Sequence, residues 1–405
     1  MIEPKGSRPG SISKGRTPPS WASIRGVIEL TLLALVPMVL LYEATIGQAV
    51  GKRSAGWHYS IDFHHVWAAG KAVIHGASPY VSTKALLALP SDRIHEFVYP
   101  APVAVAAVPL GALPYGIAAG IYTCALLIAL GLALWLLDVR DWRCYGAAFL
   151  SLPVITAVSV GTLTPLLVLG AAVAWRWRDR RWVAATAVAA LIVIKIFLWP
   201  VALWLYFTGR RSAGVLSVAI AGIASIAGWA CISFDGFLQF PSLLNALSRS
   251  EAWTTYSPVA LGQTLGLGER AAYAGVVVVG ALVVFAASRV ARKDPDAPLG
   301  LSLFISIGLL TSPIVWLHYT AVFLVPIAAA RPRLSPRWFV PLGFWLTPFH
   351  HSEGRVWRLG VALVVTCAFV LVDASRFANF SGRLKTQIGQ LGRHRILPVS
   401  AAVRR

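Results

Sequence analysis

Hydrophobic residues occur along this chain in long runs that are separated by short polar segments. The hydrocarbon core of a membrane takes about 20 apolar residues for each helical crossing. Runs of this kind recur from residue 27 to residue 373. The alternation of apolar and polar positions that is typical of barrel strands is absent. The pattern therefore predicts an all-α polytopic membrane protein.

Treating each apolar run as a helix gives about 12 membrane spans. The run FVYPAPVAVAAVPLGALP, residues 97–114, is an exception because four prolines interrupt a short apolar stretch. We expect a re-entrant or interfacial helix there. The predicted spans are 27–48, 115–137, 144–158, 162–175, 182–194, 196–208, 213–232, 271–288, 300–316, 319–330, 338–350 and 356–373.

Basic residues cluster in the short segments between these spans, as the positive-inside rule predicts for cytoplasmic loops. Orientation therefore explains the net charge of +20, and no nucleic-acid partner is expected. A disordered basic tail, residues 1–26, and a second basic tail, 374–405, are predicted in the cytoplasm, with the first outer loop at 49–113. The basic loop residues are Arg140, Arg143, Arg176, Arg178, Arg180, Arg181, Arg210, Arg211, Arg289, Arg292, Lys293, Arg331, Arg333 and Arg337.

The composition supports the same class of protein. Hydrophobic residues make up 57% of the chain and charged residues 13%, with a mean hydropathy of +0.69. The four cysteines are scattered and form no CxxC spacing, which argues against structural zinc or a disulfide framework. Basic residues precede the first apolar run without a small-residue cleavage site, so we predict a retained signal anchor.

One polar island stands out in the first outer loop. The stretch YSIDFHHVWAAGKAVIHGASPY, residues 59–80, contains one acid, three histidines and one lysine. Apolar residues at spacings of three and four predict a short amphipathic helix that lies on the outer membrane face. Its apolar stripe consists of Phe63, Val66, Trp67, Gly70, Val73 and Ile74.

Asp62 stands at the predicted start of this helix, and two interpretations are open. Its carboxylate suits an N-cap, which accepts hydrogen bonds from free backbone N–H groups. It also suits a general base at the membrane surface, since a helix start favours the ionised form of a carboxylate. The two roles are compatible.

The run DFHHVWAAGKAVIHGASPY followed by FVYPAPVAVAAVPLGALP resembles the polyprenyl-phosphate-sugar-dependent glycosyltransferase family 87. Three further stretches, GTLTPLLVLGAAVAWRWRDRR, AALIVIKIFLWPVALWLYFTGRR and LLTSPIVWLHYTAVFLVP, fit the same family, and together they cover most of residues 60–330. The resemblance implies the GT-C membrane fold. It also implies the activities of that family, which include α-(1→2)-mannosyltransferases of phosphatidylinositol mannosides and lipomannan, and an arabinofuranosyltransferase.

The resemblance further implies roles for individual residues. The family's catalytic aspartate in the first outer loop corresponds to Asp62. The lysine of its short helical hairpin corresponds to Lys195, and the outer histidine after its Ser-Pro motif corresponds to His318. We assign Lys195, His318, His65 and Tyr99 to binding of the donor phosphate or sugar.

The residue chemistry leaves alternatives for two of these positions. Lys195 interrupts an apolar run, where a charge costs about 2.5–3.5 kcal/mol at mid-bilayer. It either snorkels to the interface or clamps a lipid phosphate as a point charge. His318 is either an interface anchor, like its aromatic neighbours Trp316 and Tyr319, or a hydrogen-bonding partner of phosphate or sugar.

Two other segments receive no assigned ligand. The family often has Gln or Asn in the turn where this chain has Gly161, Thr162 and Thr164, which weakens a ligand assignment there. The sequence HHSE at 350–353 is a minority candidate for a metal site, because contiguous histidines do not share a helical face. The outer loop at 235–258 is rich in aromatic and small polar residues, and none of them is singled out.

These observations predict an inverting glycosyltransferase of the plasma membrane that uses no cofactor and for which the sequence demands no metal. Its donor is a polyprenyl-phosphate sugar, most simply mannose with arabinofuranose as the alternative, and its acceptor is a glycolipid or lipoglycan. Both termini are expected in the cytoplasm, with the active site outside. A transporter or lipid flippase is the second hypothesis, although no inverted repeat is found. A non-catalytic scaffold is the third.

Overall fold

A computed structural model describes residues 21–47, 60–82, 84–85, 97–251, 254–347 and 352–370. Within these ranges every regular element is a helix, and the predicted all-α class is confirmed. The predictions for His350, His351, residues 1–20 and residues 374–405 lie outside the described ranges.

The helices follow one another closely along the chain. Three additional 3₁₀ segments cover Ile196–Leu198, Leu317–Phe323 and Pro336–Leu346. In chain order the helices are α1 (Ile24–Gly47), α2 (Ile61–Ile74), α3 (Ala101–Ala106), α4 (Val108–Gly111), α5 (Tyr115–Leu136), α6 (Trp142–Leu150), α7 (Leu152–Val160), α8 (Thr164–Arg176), α9 (Arg181–Ile194), α10 (Pro200–Phe207), α11 (Arg211–Cys231), α12 (Phe240–Ser250), α13 (Pro258–Thr264), α14 (Glu269–Lys293), α15 (Pro298–Thr311), α16 (Leu324–Ala330) and α17 (Val356–Val370).

Four helices, α1, α5, α11 and α14, are long and apolar enough to cross a membrane. Helices α6 and α7 meet at 67° and would make a fifth crossing if they are one broken span. The remaining predicted spans correspond to shorter helices. A helix of 14 residues such as α9 is about 21 Å long, less than the ~30 Å hydrocarbon core. The count of about 12 full crossings therefore stays a prediction.

The segment 97–114 forms two short helices, α3 and α4, in place of one straight span. Each of them has a proline in its first turn, where the missing N–H costs nothing. Helix α2 packs against both, and the indole Nε1 of Trp67 donates to the carbonyl of Leu113 at 3.0 Å. The predicted stripe of α2 thus contacts protein along most of its length, with Phe63 and Val66 buried and only Ile74 exposed.

The contact between α2 and α4 depends on a glycine. A Cβ atom at Gly70 would lie 2.5 Å from the carbonyl oxygen of Ala107, closer than real Cβ atoms approach backbone. The backbones of the two segments meet here because neither side chain intervenes. Helix α2 is thereby fixed against the start of α4.

We expect Gly70→Ala to destabilise the protein by about 1–3 kcal/mol, since the added methyl group overpacks this contact. The matched control is Gly120→Ala in α5, where an added Cβ has nothing within 4 Å. That change should be neutral or slightly stabilising, because alanine is the better helix former. Thermal unfolding in detergent measures both. Equal midpoints for the two variants would contradict the close packing of α2.

The predicted cytoplasmic loops lie together at one end of the molecule, here called the arginine end. Arg178 and Arg210 both bind Asp296, with Nη2–Oδ1 distances of 2.9 Å and 3.0 Å. Arg210 also binds Asp179 at 2.8 Å. These ion pairs join the loop after α8, the loop after α10 and the loop after α14. The ion pairs therefore bring together three basic loops that the positive-inside rule assigns to the same side of the membrane.

Asp141 ties two further loops into the arginine end. Its carboxylate accepts hydrogen bonds from the Arg143 guanidinium at 3.0 Å and from the backbone N–H of Leu334 at 3.2 Å. The hydrogen bonds from Arg143 are the main reason that the pKa of Asp141 lies below its usual range. The group therefore stays ionised at neutral pH, and its contribution to stability is lost only as the pH falls through that lowered pKa.

Candidate active site

The ends of the helices opposite the arginine end form a second region, here called the site end. Helix α9 begins at Arg181 in the arginine end and stops at Ile194, so Lys195 lies about 20 Å away along the helix axis. Helix α8 runs in the reverse sense, from Thr164 to Arg176. The 3₁₀ segment that contains His318 also lies at the site end, where it packs against α7 and α8.

The first turn of α2 holds Asp62 in this region. Ser60 occupies the N-cap position in a left-handed conformation, with φ 55° and ψ 56°. Asp62 is the second residue of the helix. The interpretation of Asp62 as the N-cap residue is therefore wrong, because Ser60 holds that position. Its side chain is half-buried, and its place in the first turn favours the ionised form.

Aromatic residues of α5 fix the start of α2. Phe63 stacks on Tyr122 with ring centroids 4.2 Å apart. The hydroxyl of Tyr115 donates to the carbonyl of Ser60 at 3.3 Å. Because both contacts flank Asp62, they limit how far its carboxylate can move.

The turn between α7 and α8 supports the same helix start. Gly161 has φ 70°, and a Cβ there would lie 2.8 Å from the Cβ of Ser60 and 3.0 Å from that of Phe63. Thr162 and Thr164 are fully buried, and the Thr162 hydroxyl accepts from the backbone N–H of Thr164 at 3.1 Å. This turn packs against Ser60 and Phe63 on either side of Asp62, and the absence of a side chain at Gly161 permits that close approach.

Lys195 lies in extended backbone between α9 and the following 3₁₀ segment. Its ammonium donates a hydrogen bond to the Tyr319 hydroxyl at 2.8 Å. It also lies 4.2 Å from the centroid of the Tyr99 ring and 4.8 Å from that of Tyr319. Two neutral aromatic residues thus hold the ammonium without neutralising its charge.

Asp62 belongs to the same cluster. Its carboxylate lies within electrostatic range of Lys195 and of the hydroxyls of Tyr99, Tyr122 and Tyr319. An anionic group and a cationic group from segments far apart in the chain therefore share one region. This is the arrangement that a proton acceptor and an anion clamp require.

Two histidines were assigned to donor binding, and they lie in different surroundings. His318 is 8% exposed, packs edge-to-face on Tyr319 at 4.8 Å and interacts electrostatically with Lys195. It is therefore part of the cluster. His65 follows Asp62 by three residues on the same face of α2, and its ring lies 5.6 Å from that of His64.

Tyr319 is the residue of the cluster that sequence reasoning missed, since it was considered only as an interface aromatic. It accepts the hydrogen bond of Lys195 and stacks on Phe197 with centroids 4.8 Å apart. The signal available in the sequence was its position directly after His318. In the parts of the chain that the structure describes, no group of three or more His, Cys, Asp or Glu side chains is placed to hold a metal ion.

Residues 97–313, more than half of the chain, match the model of glycosyltransferase family 87. The chain belongs to this family. The match confirms the resemblance seen in the sequence, and with the apolar helices it describes a multi-pass membrane protein of family 87. The matched range contains Tyr99 and Lys195, whereas Asp62, His65 and His318 lie outside it.

A curated relative is the polyprenol-phosphate-mannose-dependent alpha-(1-2)-phosphatidylinositol pentamannoside mannosyltransferase of Mycolicibacterium smegmatis. The two sequences are 26% identical over 273 residues, which is 62% of this family 87 chain and 60% of the relative. The match thus spans less than two thirds of the relative's length. No solved structure matches the chain.

Proposed function

We propose that this chain is an inverting membrane glycosyltransferase that transfers a sugar from a polyprenyl phosphate to a hydroxyl group of a glycolipid or lipoglycan. The observation that carries the proposal is that Asp62 lies within electrostatic range of Lys195, whose ammonium is held by Tyr99 and Tyr319. Membership of family 87 supports the reaction class. The name of the mannosyltransferase relative supports mannose as the sugar and a mannosylated lipid as the acceptor.

In the proposed reaction, Asp62 is the general base. Its carboxylate takes the proton of the acceptor hydroxyl while that oxygen forms a bond to the anomeric carbon of the donor sugar. The bond between the anomeric carbon and the phosphate oxygen breaks on the opposite face, and polyprenyl phosphate leaves with the bonding electrons. One displacement inverts the anomeric carbon, and no covalent enzyme intermediate forms.

Lys195 balances the charge that develops on the leaving group. The donor phosphodiester carries one negative charge, and the released phosphate monoester gains a second as the bond breaks. An ammonium beside the phosphate therefore binds the transition state more tightly than the ground state. Tyr99 and Tyr319 keep the ammonium in place, and His318 lies beside it as a further polar partner.

The orientation follows from the charge of the loops. The positive-inside rule places the arginine end in the cytoplasm, which puts the site end on the outer side of the plasma membrane. A lipid-linked sugar presented at the outer face reaches the cluster from the membrane. Both termini are proposed to be cytoplasmic.

Purified protein in proteoliposomes, supplied with polyprenyl-phosphate mannose and a mannosylated glycolipid, tests the proposed function. We expect mannose to appear in the glycolipid and polyprenyl phosphate to accumulate in equal amount. A transporter would instead move the donor across the membrane when no acceptor is present. Flux without transfer would contradict the proposal.

Tyr319→Phe should lower kcat by about tenfold to a hundredfold, because a hydrogen bond to a charged group contributes about 1.5–3 kcal/mol and a tenfold rate change corresponds to ~1.4 kcal/mol. The ring and its stacking on Phe197 remain. The effect should disappear in the Lys195→Met background, since the tyrosine acts through that lysine. The control is Tyr206→Phe, which changes an exposed tyrosine of α10. An undiminished effect without Lys195 would show that Tyr319 acts independently of it.

A further inference from the structure

A polar cavity lies outside the cluster of Asp62 and Lys195, and residues of α12, α13 and α14 line it. It has a volume of about 330 Å³, which is within the ~300–1,000 Å³ range of ligand sites. Helices α12 and α13 and the first turns of α14 form its walls. The polar residues that line it are Ser248, Arg249, Ser257, Gln263, Glu269 and Tyr273.

The cavity lies at the outer interface under the proposed orientation. Glu269 and Tyr273 stand in the first turns of α14, whereas Arg292 and Lys293 are in its last turn. The apolar body of α14 separates these two ends and is long enough to cross a membrane. A ligand in the cavity would therefore be in contact with the headgroup region, on the side where the site end is proposed to lie.

The two charged side chains that line the cavity have opposite signs. Arg249 and Glu269 face each other at 3.7 Å, and the other polar lining groups are hydroxyls and one amide. An anionic headgroup would gain from the arginine and lose to the glutamate. Hydroxyl groups both donate and accept, so a neutral polyol can pair with all of these side chains. The lining favours a carbohydrate over a phosphate.

The walls of the cavity are already organised. The hydroxyls of Ser248 and Tyr273 are hydrogen-bonded at 3.3 Å, which joins α12 to α14. Ser257 caps α13 by accepting from the backbone N–H of Ala260 at 3.1 Å. Both serines are buried. The polar groups are therefore held in fixed positions before a ligand arrives.

A short segment connects the cavity to the cluster. Pro313 lines the cavity, and His318 follows it by five residues. Five residues reach at most about 18 Å, so an oligosaccharide can extend from one region to the other. The segment is anchored between them because the backbone N–H of Tyr256 donates to the carbonyl of Val315 at 2.8 Å.

From these observations we infer that the cavity is a subsite for the non-reacting part of the acceptor glycan, taking neutral sugar residues while the terminal hydroxyl lies at Asp62. The inference rests on the proposed transferase function. Binding energy from a remote part of a substrate holds the reacting part in position. The acceptors recognised best are then glycolipids with more than one sugar residue.

Gln263→Ala and Tyr273→Phe test the subsite. Each removes hydrogen-bonding groups from the cavity lining, and Tyr273→Phe keeps the ring. The control is Gln239→Ala, which removes the same amide from an exposed position outside the cavity. The probes are a synthetic octyl α-mannobioside and, for comparison, octyl phosphate, titrated into the purified full-length protein with heat of binding as the readout. Thermal unfolding of each variant establishes that it is folded.

We expect each cavity variant to weaken mannobioside binding by about threefold to tenfold, as for one lost hydrogen bond, with no change in Gln239→Ala. All titrations are made without a sugar donor, which keeps this measurement independent of turnover. A failure of the transferase assay with intact, variant-sensitive binding would overturn the proposed function alone. Equal mannobioside binding in all folded variants would overturn the subsite. Tighter, variant-sensitive binding of octyl phosphate would overturn it in favour of an anionic headgroup.

Discussion

The Asp62→Asn protein is expected to bind polyprenyl-phosphate sugar with unchanged affinity and to transfer the sugar about 10²–10⁴ times more slowly, which is the usual contribution of a general base. Asparagine has nearly the same shape as aspartate, so the first turn of α2 and its contacts with α5 are preserved. Only the ability to accept a proton is lost. Single-turnover transfer with donor bound in advance separates this loss from a loss of binding.

The control for this substitution is Asp235→Asn. Asp235 is an exposed carboxylate between α11 and α12, on the same proposed side of the membrane and outside the cluster. Its replacement should leave the transfer rate within about twofold of the wild type, as surface substitutions usually do. Full activity in both variants would remove Asp62 from the mechanism.

Lys195→Met is expected to lower kcat by about 10²–10³, the cost of removing one group that stabilises developing negative charge in a transition state. Methionine fills similar space and keeps contact with the rings of Tyr99 and Tyr319. The KM for the donor should rise less than kcat falls, because the phosphate gains its second charge only as the bond breaks. Steady-state kinetics at varied donor concentration measures both constants.

Two further lysine variants sharpen this prediction. Lys195→Arg keeps the charge but replaces a compact ammonium by a planar group of different reach, so its kcat should lie between those of wild type and Lys195→Met. Lys71→Met removes the charge of an exposed lysine in α2, which lies 5.2 Å from the Trp67 ring. That control should keep full activity. A Lys71 effect as large as the Lys195 effect would mean that general surface charge, and not the cluster, supports the reaction.

Much of the fold could be predicted from hydropathy and charge. The long helices α5, α11 and α14 occur near their predicted positions, and the basic loops meet at one end as expected. The sequence did not reveal the 67° bend between α6 and α7, where Ser151 adopts an extended conformation. Averaging hydrophobicity over a window cannot detect a single extended residue inside an apolar run.

Only some of the residues of the site could be predicted from the sequence. Asp62 and Lys195 could be singled out because a charged residue in or beside apolar sequence is rare and costly. Tyr319 could not, since a tyrosine near a membrane interface is ordinary, and its partner Lys195 is far from it in the chain. Helices α12 and α13 were also missed. In α12 the apolar residues Phe240, Leu243 and Leu247 do follow a helical period, but the segment was interpreted only as an outer loop rich in aromatic and small polar residues. Contacts of this kind are set by tertiary packing.

The configuration of the transferred sugar tests the central claim most directly. Purified protein in liposomes would receive polyprenyl β-mannosyl phosphate and a mannosylated glycolipid, and the new linkage in the product would be determined by NMR. A single displacement at the Asp62 and Lys195 cluster predicts an α-linked mannose, which Asp62→Asn forms about 10²–10⁴ times more slowly. A β-linked product, or an α-linked product formed equally well by Asp62→Asn, would contradict it.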